Sequence, residues 1–461
     1  MKRRIALCLL LCLGIGQPLV FSQEAPGEKP WTLDDCIRIG LQNRPELTLS
    51  TLDIVQAEQQ VKEATSYYYP RLNLGVGYTH FNRPLEFEAD IDLRQIKKNL
   101  PFPFNEAIPS FISQQFETGK TDWAAFTVDV IQPLYTFGRI KEGVNQARIG
   151  RSMAVHQKER KKAEIAFEIK KGYFQFLLAQ EVFLLLKGAE ASTDVVAGMV
   201  KIAYETAVPE KEEKGTTRLD YLKARNFHSE VKAKRSEAGK NFKLAQLGLK
   251  MAMGLYADTL LKMAEAALEG LPIDHRESEE LKRGILEKNV DLKTAQLGVQ
   301  FLDSRRKAAR KEYFPKVGLF GNWVSPEDRF GNRNAWYAGV GLTVPLFDGF
   351  LTKAKAGQAE AQFQKVKGQK MLLESLLSAQ MDGLHATLLE LKERTAILRA
   401  SLEESKERTQ LAADGYASGI TEYEDLLLSQ KTEIELKASY LQSLFLFQMT
   451  KAEIEFISGN P

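Results

Sequence analysis

The fold is decided by the stretch WYAGVGLTVPLFDGF, residues 336–350, and by the helical run that follows it. Alternate residues from Trp336 to Val344 are apolar, which predicts a strand with one apolar face. Pro345 and Gly349 then mark a turn. About 66 residues with an uninterrupted helical pattern follow the turn. The sequence therefore predicts a strand that passes through a proline turn into a very long helix.

The same order of elements occurs earlier in the chain. Alternating residues lead into QPLYTFG, residues 132–138, which repeats the turn, and a second helical run continues from there. Pro133 and Pro345 are 212 residues apart, and the tyrosines that end the two helical runs, Tyr204 and Tyr416, are separated by the same 212 residues. Equal offsets predict an internal duplication.

Two structural repeats, residues 23–270 and 271–461, are predicted to follow a signal peptide at residues 1–22. Each repeat contains a helix, two strands, a long helix, a tip turn and a second helix. The predicted bounds are a loop at 82–121 and a tip at 205–215 in the first repeat, and strands at 316–323 and 335–346, a long helix at 351–416, a tip at 417–421 and a helix at 421–457 in the second.

The N-terminus has the three regions of a secretory signal. Basic Lys2 to Arg4 precede an apolar run from Ile5 to Ile15, and the small residue Ser22 is a suitable cleavage boundary. A lipoprotein signal at Cys12 is the less favoured alternative, because the bulky Leu11 stands directly before it. The mature chain is predicted to begin directly after Ser22.

Composition and charge exclude several classes of function. Charged residues make up 27% of the chain, and Ala, Leu, Glu, Lys and Gln dominate the long segments, as in long helices and coiled coils. Removing the signal brings the net charge close to zero, so a nucleic-acid partner is not expected. Cys36 is the one cysteine of the mature chain, which rules out an intrachain disulfide and predicts a buried, inert thiol.

No pattern in the sequence points to catalysis. A phosphate-binding glycine loop, a nucleophile elbow and a paired-cysteine zinc motif are all missing, and the histidines have no metal-ligand spacing. These histidines are His80, His156, His228, His275 and His385. The sequence therefore predicts neither an enzyme nor a cofactor or metal site.

A regular apolar stripe runs along the second long helix. Leu377, Leu384, Leu391 and Leu398 recur every seven residues, which is typical of left-handed coiled-coil packing. The core of an ordinary helical bundle is the alternative interpretation of this stripe. The predicted fold class is mainly α, with long coiled-coil helices and four strands in each chain.

The four predicted strands share one property. Each has one apolar face and one face rich in Gly, Thr and Asn. Four strands are too few to close a barrel, so this pattern fits a membrane β-barrel only if several chains each contribute strands. Three chains give twelve strands and a water-filled lumen.

Several short motifs, in this order, resemble the TolC family of outer membrane efflux proteins, also called outer membrane factors. They are WTLDDCI at 31–37, NRPEL at 43–47, the two Pro-Leu turns with their glycines, and YASG at 416–419 with Leu426 and Leu427 further on. The resemblance implies a homotrimer with a twelve-stranded barrel in the outer membrane of a Gram-negative-type cell and an α-helical barrel in the periplasm. It also implies two protein partners, a periplasmic adaptor (membrane fusion) protein and an inner-membrane transporter of the RND, ABC or MFS type, whose substrates leave through the trimer.

The resemblance also implies a channel constriction and a gate lock. Asp425, six residues after the turn glycine, matches an acidic ring position of the family, while Leu428 occupies the next acidic position and Glu424 is the other candidate. Tyr416 matches a tyrosine that holds the closed state, and Thr421 stands where an arginine completes that link. A solvated carboxylate at a helix start is the alternative interpretation of Asp425.

The two tip turns are the expected adaptor-binding surface. In the first repeat the candidate contacts are Val208 and Gly215, and in the second they are Ala417, Ser418, Gly419 and Ile420. A secreted or periplasmic coiled-coil scaffold is the alternative function. A scaffold accounts for the seven-residue apolar repeat, but it does not explain why each strand has one apolar face. Drug, metal, lipid and protein cargoes all stay open.

Overall fold

The structure is a computed structural model. It describes residues 31–83, 86–92, 94, 111–117, 121–206, 217–256, 267–268, 284–285, 287–326 and 335–459. The predicted signal peptide and two candidate contacts of the first tip turn, Val208 and Gly215, lie outside the described residues.

The described residues form seven α-helices and six strands. The helices are α1 (Leu33–Asn43), α2 (Pro45–Ser66), α3 (Arg139–Thr206), α4 (Arg218–Ala252), α5 (Val290–Arg310), α6 (Leu351–Ala417) and α7 (Tyr423–Ile457). The strands are β1 (Arg71–His80), β2 (Glu86–Asp92), β3 (Phe111–Glu117), β4 (Asp122–Tyr135), β5 (Lys316–Pro326) and β6 (Ala335–Thr343). No helix in the described part of the chain has the length and hydropathy of a membrane span.

The break between α1 and α2 follows from one proline. Pro45 occupies the first turn of α2, and Arg44 before it is extended, with ψ of 117°. Because the proline ring disfavours helical geometry in the residue before it, the chain leaves α1 at Asn43 and starts a new helix.

The sheet has the strand order β1-β4-β5-β6, and every neighbouring pair is antiparallel. The register aligns the apolar positions across all four strands: Leu74 lies opposite Val128, Val128 opposite Trp323, and Trp323 opposite Trp336. The apolar residues of β1 are Leu72, Leu74, Val76 and Tyr78, each at least 68% exposed. The sheet thus presents one continuous apolar face, which is exposed along β1 and β6 and half-buried at Val128 and Trp323 in the middle.

The opposite face of the sheet is mixed, with polar residues and glycines beside the apolar or aromatic Ile131, Phe320 and Tyr337. The Asn322 amide donates a hydrogen bond to the Asp129 carboxylate across β5 and β4 at 2.6 Å. Next to this pair the Phe320 ring lies over Gly339 and Gly341. A Cβ on Gly339 would lie 2.9 Å from the ring, so glycine is required for this contact.

The interval predicted as a long loop contains a β-hairpin. β2 and β3 pair antiparallel from Glu86 opposite Glu117 to Asp92 opposite Phe111, and they form a separate two-stranded sheet. The interval carries four prolines, Pro84, Pro101, Pro103 and Pro109, which led to the loop prediction. The two strands were missed, although EFEADID at 86–92 alternates strictly between charged and apolar residues.

The two long helices are nearly equal in length, with 68 residues in α3 and 67 in α6. Both follow a turn with left-handed backbone. Phe137 and Gly138 have φ of 50° and 80°, and Gly349 and Phe350 have φ of 64° and 67°. Left-handed φ is uncommon for an aromatic residue.

The chain divides into two compact units. Unit 1 comprises Met1–Asn43, Glu168–Ile273 and Leu391–Met449, and unit 2 comprises Arg44–Phe167, Asp274–Glu390 and Thr450–Pro461. In unit 1 the core includes Cys36, which is fully buried, and burial raises the pKa of its thiol to about 12. The thiol is therefore buried, as the sequence predicts. Unit 2 contains the sheets and buries Ile165, Met381 and Leu388.

Candidate functional site

The turn between α6 and α7, in unit 1, contains most of the candidate site residues. The Gly419 amide donates to the Tyr416 carbonyl at 3.1 Å, and the Ile420 amide donates to the Gly415 carbonyl at 2.8 Å. Gly419 has φ of 71°. This is the Schellman geometry that ends helices at a glycine, because a residue without Cβ adopts left-handed φ at little cost.

The tip of this turn is open to solvent. Ala417, Ser418, Gly419 and Ile420 are all exposed, and Ile420 is 84% exposed. The Ser418 hydroxyl donates back to the Asp414 carbonyl at 2.8 Å, so it helps to close the end of α6. An isoleucine at this exposure is the side chain of the turn best suited to contact another protein.

The first turn of α7 carries two candidate acids, and they differ in their surroundings. The Lys223 ammonium on α4 donates to the Glu424 carboxylate at 2.6 Å. This hydrogen bond raises the pKa of Lys223, and the charges of Glu424 and Asp220 act in the same direction. Glu424 is therefore tied to α4.

Asp425 is exposed, and no basic side chain forms an ion pair with it among the residues that the structure describes. It lies on one side of an open groove of about 430 Å³ between α6 and α7. The lining residues are Glu404, Glu407, Arg408, Leu411, Ala412, Thr421, Asp425 and Ser429. Three of the charged residues are acidic and one is basic, so the groove is acidic and the Asp425 charge is not neutralised by a direct partner.

Below the tip, Tyr423 holds four helices together. It is 4% exposed and belongs to a buried cluster with Val200 of α3 and Ala224 of α4. The Tyr416 ring of α6 meets it edge-on, with centroids 6.0 Å apart and an interplanar angle of 65°. Burial raises the pKa of the Tyr423 hydroxyl, and the neighbouring Tyr416 adds to the effect. Tyr416 is thus a packing residue of this cluster. Thr421 lies nearby in the turn, where its amide donates to the Gly415 carbonyl at 3.2 Å.

Hydrogen bonds fix the start of α4 and connect α4 to α3. The Thr217 hydroxyl accepts from the Asp220 amide at 3.2 Å, and the Thr217 amide donates to the Asp220 carboxylate at 3.0 Å. This capping box fixes the start of α4. Further along, the Arg235 guanidinium makes two hydrogen bonds, of 2.6 and 3.2 Å, to the Glu190 carboxylate of α3.

The structure brings together seven of the predicted residues within one helical hairpin: Tyr416, Ala417, Ser418, Gly419, Ile420, Glu424 and Asp425. Sequence reasoning missed Lys223 and Tyr423. Lys223 is 201 residues from its partner, and no local pattern links the two. Tyr423 stands one residue before the predicted acids and begins an apolar helix. An aromatic residue at such a position is a signal for a core residue, and the sequence analysis did not use it. Within the described ranges, no group of three or more His, Cys, Asp or Glu side chains has metal-ligand geometry.

One curated relative is outer membrane protein OprJ of Pseudomonas aeruginosa. It is 25% identical over 230 residues, which cover 47% of this chain and 46% of OprJ. The match therefore spans about half the length of that relative.

Solved structures share the fold over nearly the whole chain. The outer membrane protein VceC of Vibrio cholerae superposes with a TM-score of 0.74 at 15% identity, covering 93% of this chain and 96% of VceC. The outer membrane channel MtrE of Neisseria gonorrhoeae superposes with a TM-score of 0.71 at 17% identity, covering 93% of this chain and 88% of MtrE. The predicted fold class is confirmed by this likeness.

A family model described as outer membrane efflux protein matches residues 37–255 and 282–455. Together these ranges include most of the chain, from the middle of α1 to the end of α7. The matched ranges also contain the four-stranded sheet, the α6–α7 turn and both candidate acids. The chain therefore belongs to the outer membrane efflux protein family.

Proposed function

We propose that this chain forms the outer-membrane exit duct of a tripartite efflux or type I secretion system. As a member of its family it is an outer-membrane protein and not an enzyme. The observation that carries the proposal is the four-stranded sheet, whose apolar positions are in register and are exposed on the outer strands β1 and β6. A face of this kind needs lipid or another protein to cover it.

Three copies supply the twelve strands of a closed barrel. Closure pairs the backbone N–H and C=O groups of the edge strands, which lipid cannot hydrogen-bond. In this arrangement the mixed face of the sheet, with Asp129 and Asn322, lines an aqueous lumen. The long helices α3 and α6 of the three copies continue the duct into the periplasm. The fold likeness to an outer membrane channel supports this arrangement.

The duct conducts passively. An inner-membrane pump of the RND, ABC or MFS type supplies the energy, and a periplasmic adaptor protein joins the pump to the tip turns. The exposed Ile420 and its neighbours in the α6–α7 turn support the adaptor contact. Val208 and Gly215 are the proposed contacts of the other tip turn.

The proposed constriction is a ring of three Asp425 carboxylates, one from each copy. Exposure and the absence of a direct basic partner leave Asp425 available to face the axis. Three carboxylates close together repel anions and hold cations. Tyr416, packed against Tyr423, holds α6 and α7 in the closed arrangement.

The test is the oligomeric state and conductance of the full chain purified from outer membranes in detergent. We expect a trimer by native mass spectrometry and discrete channels in planar lipid bilayers. A monomer that stays soluble without detergent, and gives no channels, would contradict the duct and support the alternative of a secreted or periplasmic coiled-coil scaffold.

A further inference from the structure

The ends of the sheet meet the helices of unit 2 in four segments, residues 62–71, 135–144, 307–316 and 346–355, which we call the junction band. The register places them at one end of the sheet: Arg71 lies opposite Ile131, Tyr135 opposite Val317, and Lys316 opposite Thr343. Two of the segments lead from a helix into a strand, and the other two lead from a strand towards a helix.

The band exposes large apolar and aromatic side chains. Leu346 is 93% exposed, Phe347 78%, Phe350 68% and Tyr69 63%. Tyr67, Tyr68, Tyr313 and Phe314 are also exposed, each by at least 46%. Aromatic side chains in such numbers at a strand end are typical of the level of lipid headgroups.

The backbone supports a surface role for these rings. Phe137 adopts left-handed φ, and its ring packs on Tyr135 and Phe314, with centroids 4.7 and 5.3 Å apart. Phe350 also adopts left-handed φ, but it stays exposed, and the ring that packs on it, Phe347 at 5.6 Å, is exposed as well. Burial within the chain therefore does little to offset the strain at Phe350, and strained residues of this kind cluster at contact sites.

The same four segments carry a large excess of positive charge, ten basic residues against four acidic ones. Three of the four acids already have partners. Lys311 binds Glu142 at 2.7 Å, both Arg139 and Lys355 approach Glu312, and the Thr352 amide donates to the Asp348 carboxylate at 2.9 Å. Lys141 and Lys353 are exposed and form no ion pair within the described residues. Positive charge is thus left over beside the apolar rings.

Two of the cations lie directly at aromatic rings. The Arg71 guanidinium lies 4.5 Å from the centroid of Tyr67, and the Lys353 ammonium lies 6.0 Å from that of Phe350. If Tyr67 and Phe350 lie in the headgroup layer, Arg71 and Lys353 are therefore at the height of the lipid phosphates.

We propose that the junction band binds the headgroups of anionic phospholipids in the leaflet on the helix side of the sheet. The aromatic side chains enter the headgroup layer, and Arg71, Lys141 and Lys353 bind the phosphates. This proposal rests on the membrane placement of the sheet given under Proposed function. The ligand class is a glycerophospholipid with a net negative headgroup, and phosphatidylglycerol is the probe.

The test counts lipids retained by the detergent-purified full chain, using native mass spectrometry after titration with phosphatidylglycerol or phosphatidylethanolamine. We expect the wild type to retain phosphatidylglycerol preferentially. The triple variant Arg71→Gln, Lys141→Gln, Lys353→Gln should lose this preference, by about fivefold for each cation removed. The matched control Lys232→Gln, Lys240→Gln, Lys243→Gln removes three exposed lysines of α4 and should leave the preference unchanged.

A second variant separates the rings from the charges. Asparagine tolerates left-handed φ, so Phe350→Asn keeps the turn and removes the ring. It should reduce the retention of both lipids alike. Raising the salt from about 50 mM to 500 mM should reduce only the phosphatidylglycerol preference.

Equal retention of the two lipids by the wild type, or equal losses in the triple variant and its control, would overturn the anionic-lipid site. The same preparations report on the duct through their oligomeric state and conductance. A conducting trimer without lipid preference contradicts this inference alone, whereas a soluble monomer that binds neither lipid contradicts both.

Discussion

The ammonium of Lys223 lies 2.6 Å from the carboxylate of Glu424 and joins α4 to the first turn of α7. The neighbouring acid, Asp425, has no such cation among the described residues. Two adjacent carboxylates on one helix turn are therefore unequal: Glu424 is paired with a lysine, and Asp425 is exposed without a basic partner among the described residues.

Substitution of Lys223 should change the charge at the constriction. Lys223→Ala releases Glu424 and adds a free carboxylate beside each Asp425. We expect stronger block by divalent cations and higher cation selectivity in planar bilayers. Lys232→Ala on the same helix removes an equal charge and should leave both properties as in the wild type. Unchanged block in Lys223→Ala would mean that Glu424 does not face the ion path.

Removal of Asp425 should have the opposite effect. Asp425→Ala takes three carboxylates from the proposed ring, so divalent cation block should weaken and single-channel conductance should rise. Glu435→Ala is the control, because it removes an exposed acid of α7 about 15 Å further along the helix. Identical current traces for Asp425→Ala and wild type would eliminate the ring.

Tyr423 is expected to be the main stabilising side chain of the tip. Tyr423→Ala removes a buried ring that packs against Val200, Ala224 and Tyr416, and should lower the free energy of unfolding by roughly 3 kcal/mol. Thermal unfolding in detergent, followed by circular dichroism, measures this loss. Ile420→Ala, at an exposed position, should change stability by less than about 0.5 kcal/mol. Equal effects of the two variants would argue against the buried cluster.

The buried thiol of Cys36 should give a pH dependence at alkaline pH. Burial raises its pKa from 9.0 to about 12. The folded state holds the proton more tightly than the unfolded state, so the contribution is fully present below pH 9 and is lost between pH 9 and 12. Stability of the wild type should therefore fall more steeply than that of Cys36→Ala, by at most about 1.4 kcal/mol per pH unit. Parallel stability curves for the two proteins would contradict this.

The exposed tip allows a direct test of adaptor binding. Because Cys36 is buried, Ser418→Cys places one accessible thiol on the processed chain. A thiol-directed photocrosslinker on this residue should capture the periplasmic adaptor in cells. The same reagent on Glu435→Cys should capture little of it. Failure to crosslink at Ser418, in cells whose efflux is intact, would remove this turn from the contact surface.

The sequence indicated the long helices and the four-stranded sheet because each has a strong local signal. α3 and α6 have long helical patterns without an internal proline, and the strands alternate over eight or more residues. The β2–β3 hairpin was missed because prolines nearby outweighed the alternation of Glu86 to Asp92. The alternation predicts a strand and the nearby prolines predict a loop, and the structure has the strand.

The site was less predictable than the fold. The sequence identified the α6–α7 turn through Gly419, whose left-handed conformation is a local requirement. It did not identify the partners of that turn, because the Lys223–Glu424 pair depends on the packing of α4 against α7. Contacts between distant segments leave no trace in the periodicity of either helix.

The strand order β1-β4-β5-β6 has a consequence for assembly. Three antiparallel steps separate β1 from β6, so the two outer strands of one chain run in opposite directions. When β6 of one copy meets β1 of the next, the seam is antiparallel like every pairing within the chain. In the proposed barrel, copies can therefore be added without a change in pairing geometry, and the curvature of the sheet would set how many are needed before the last seam meets the first.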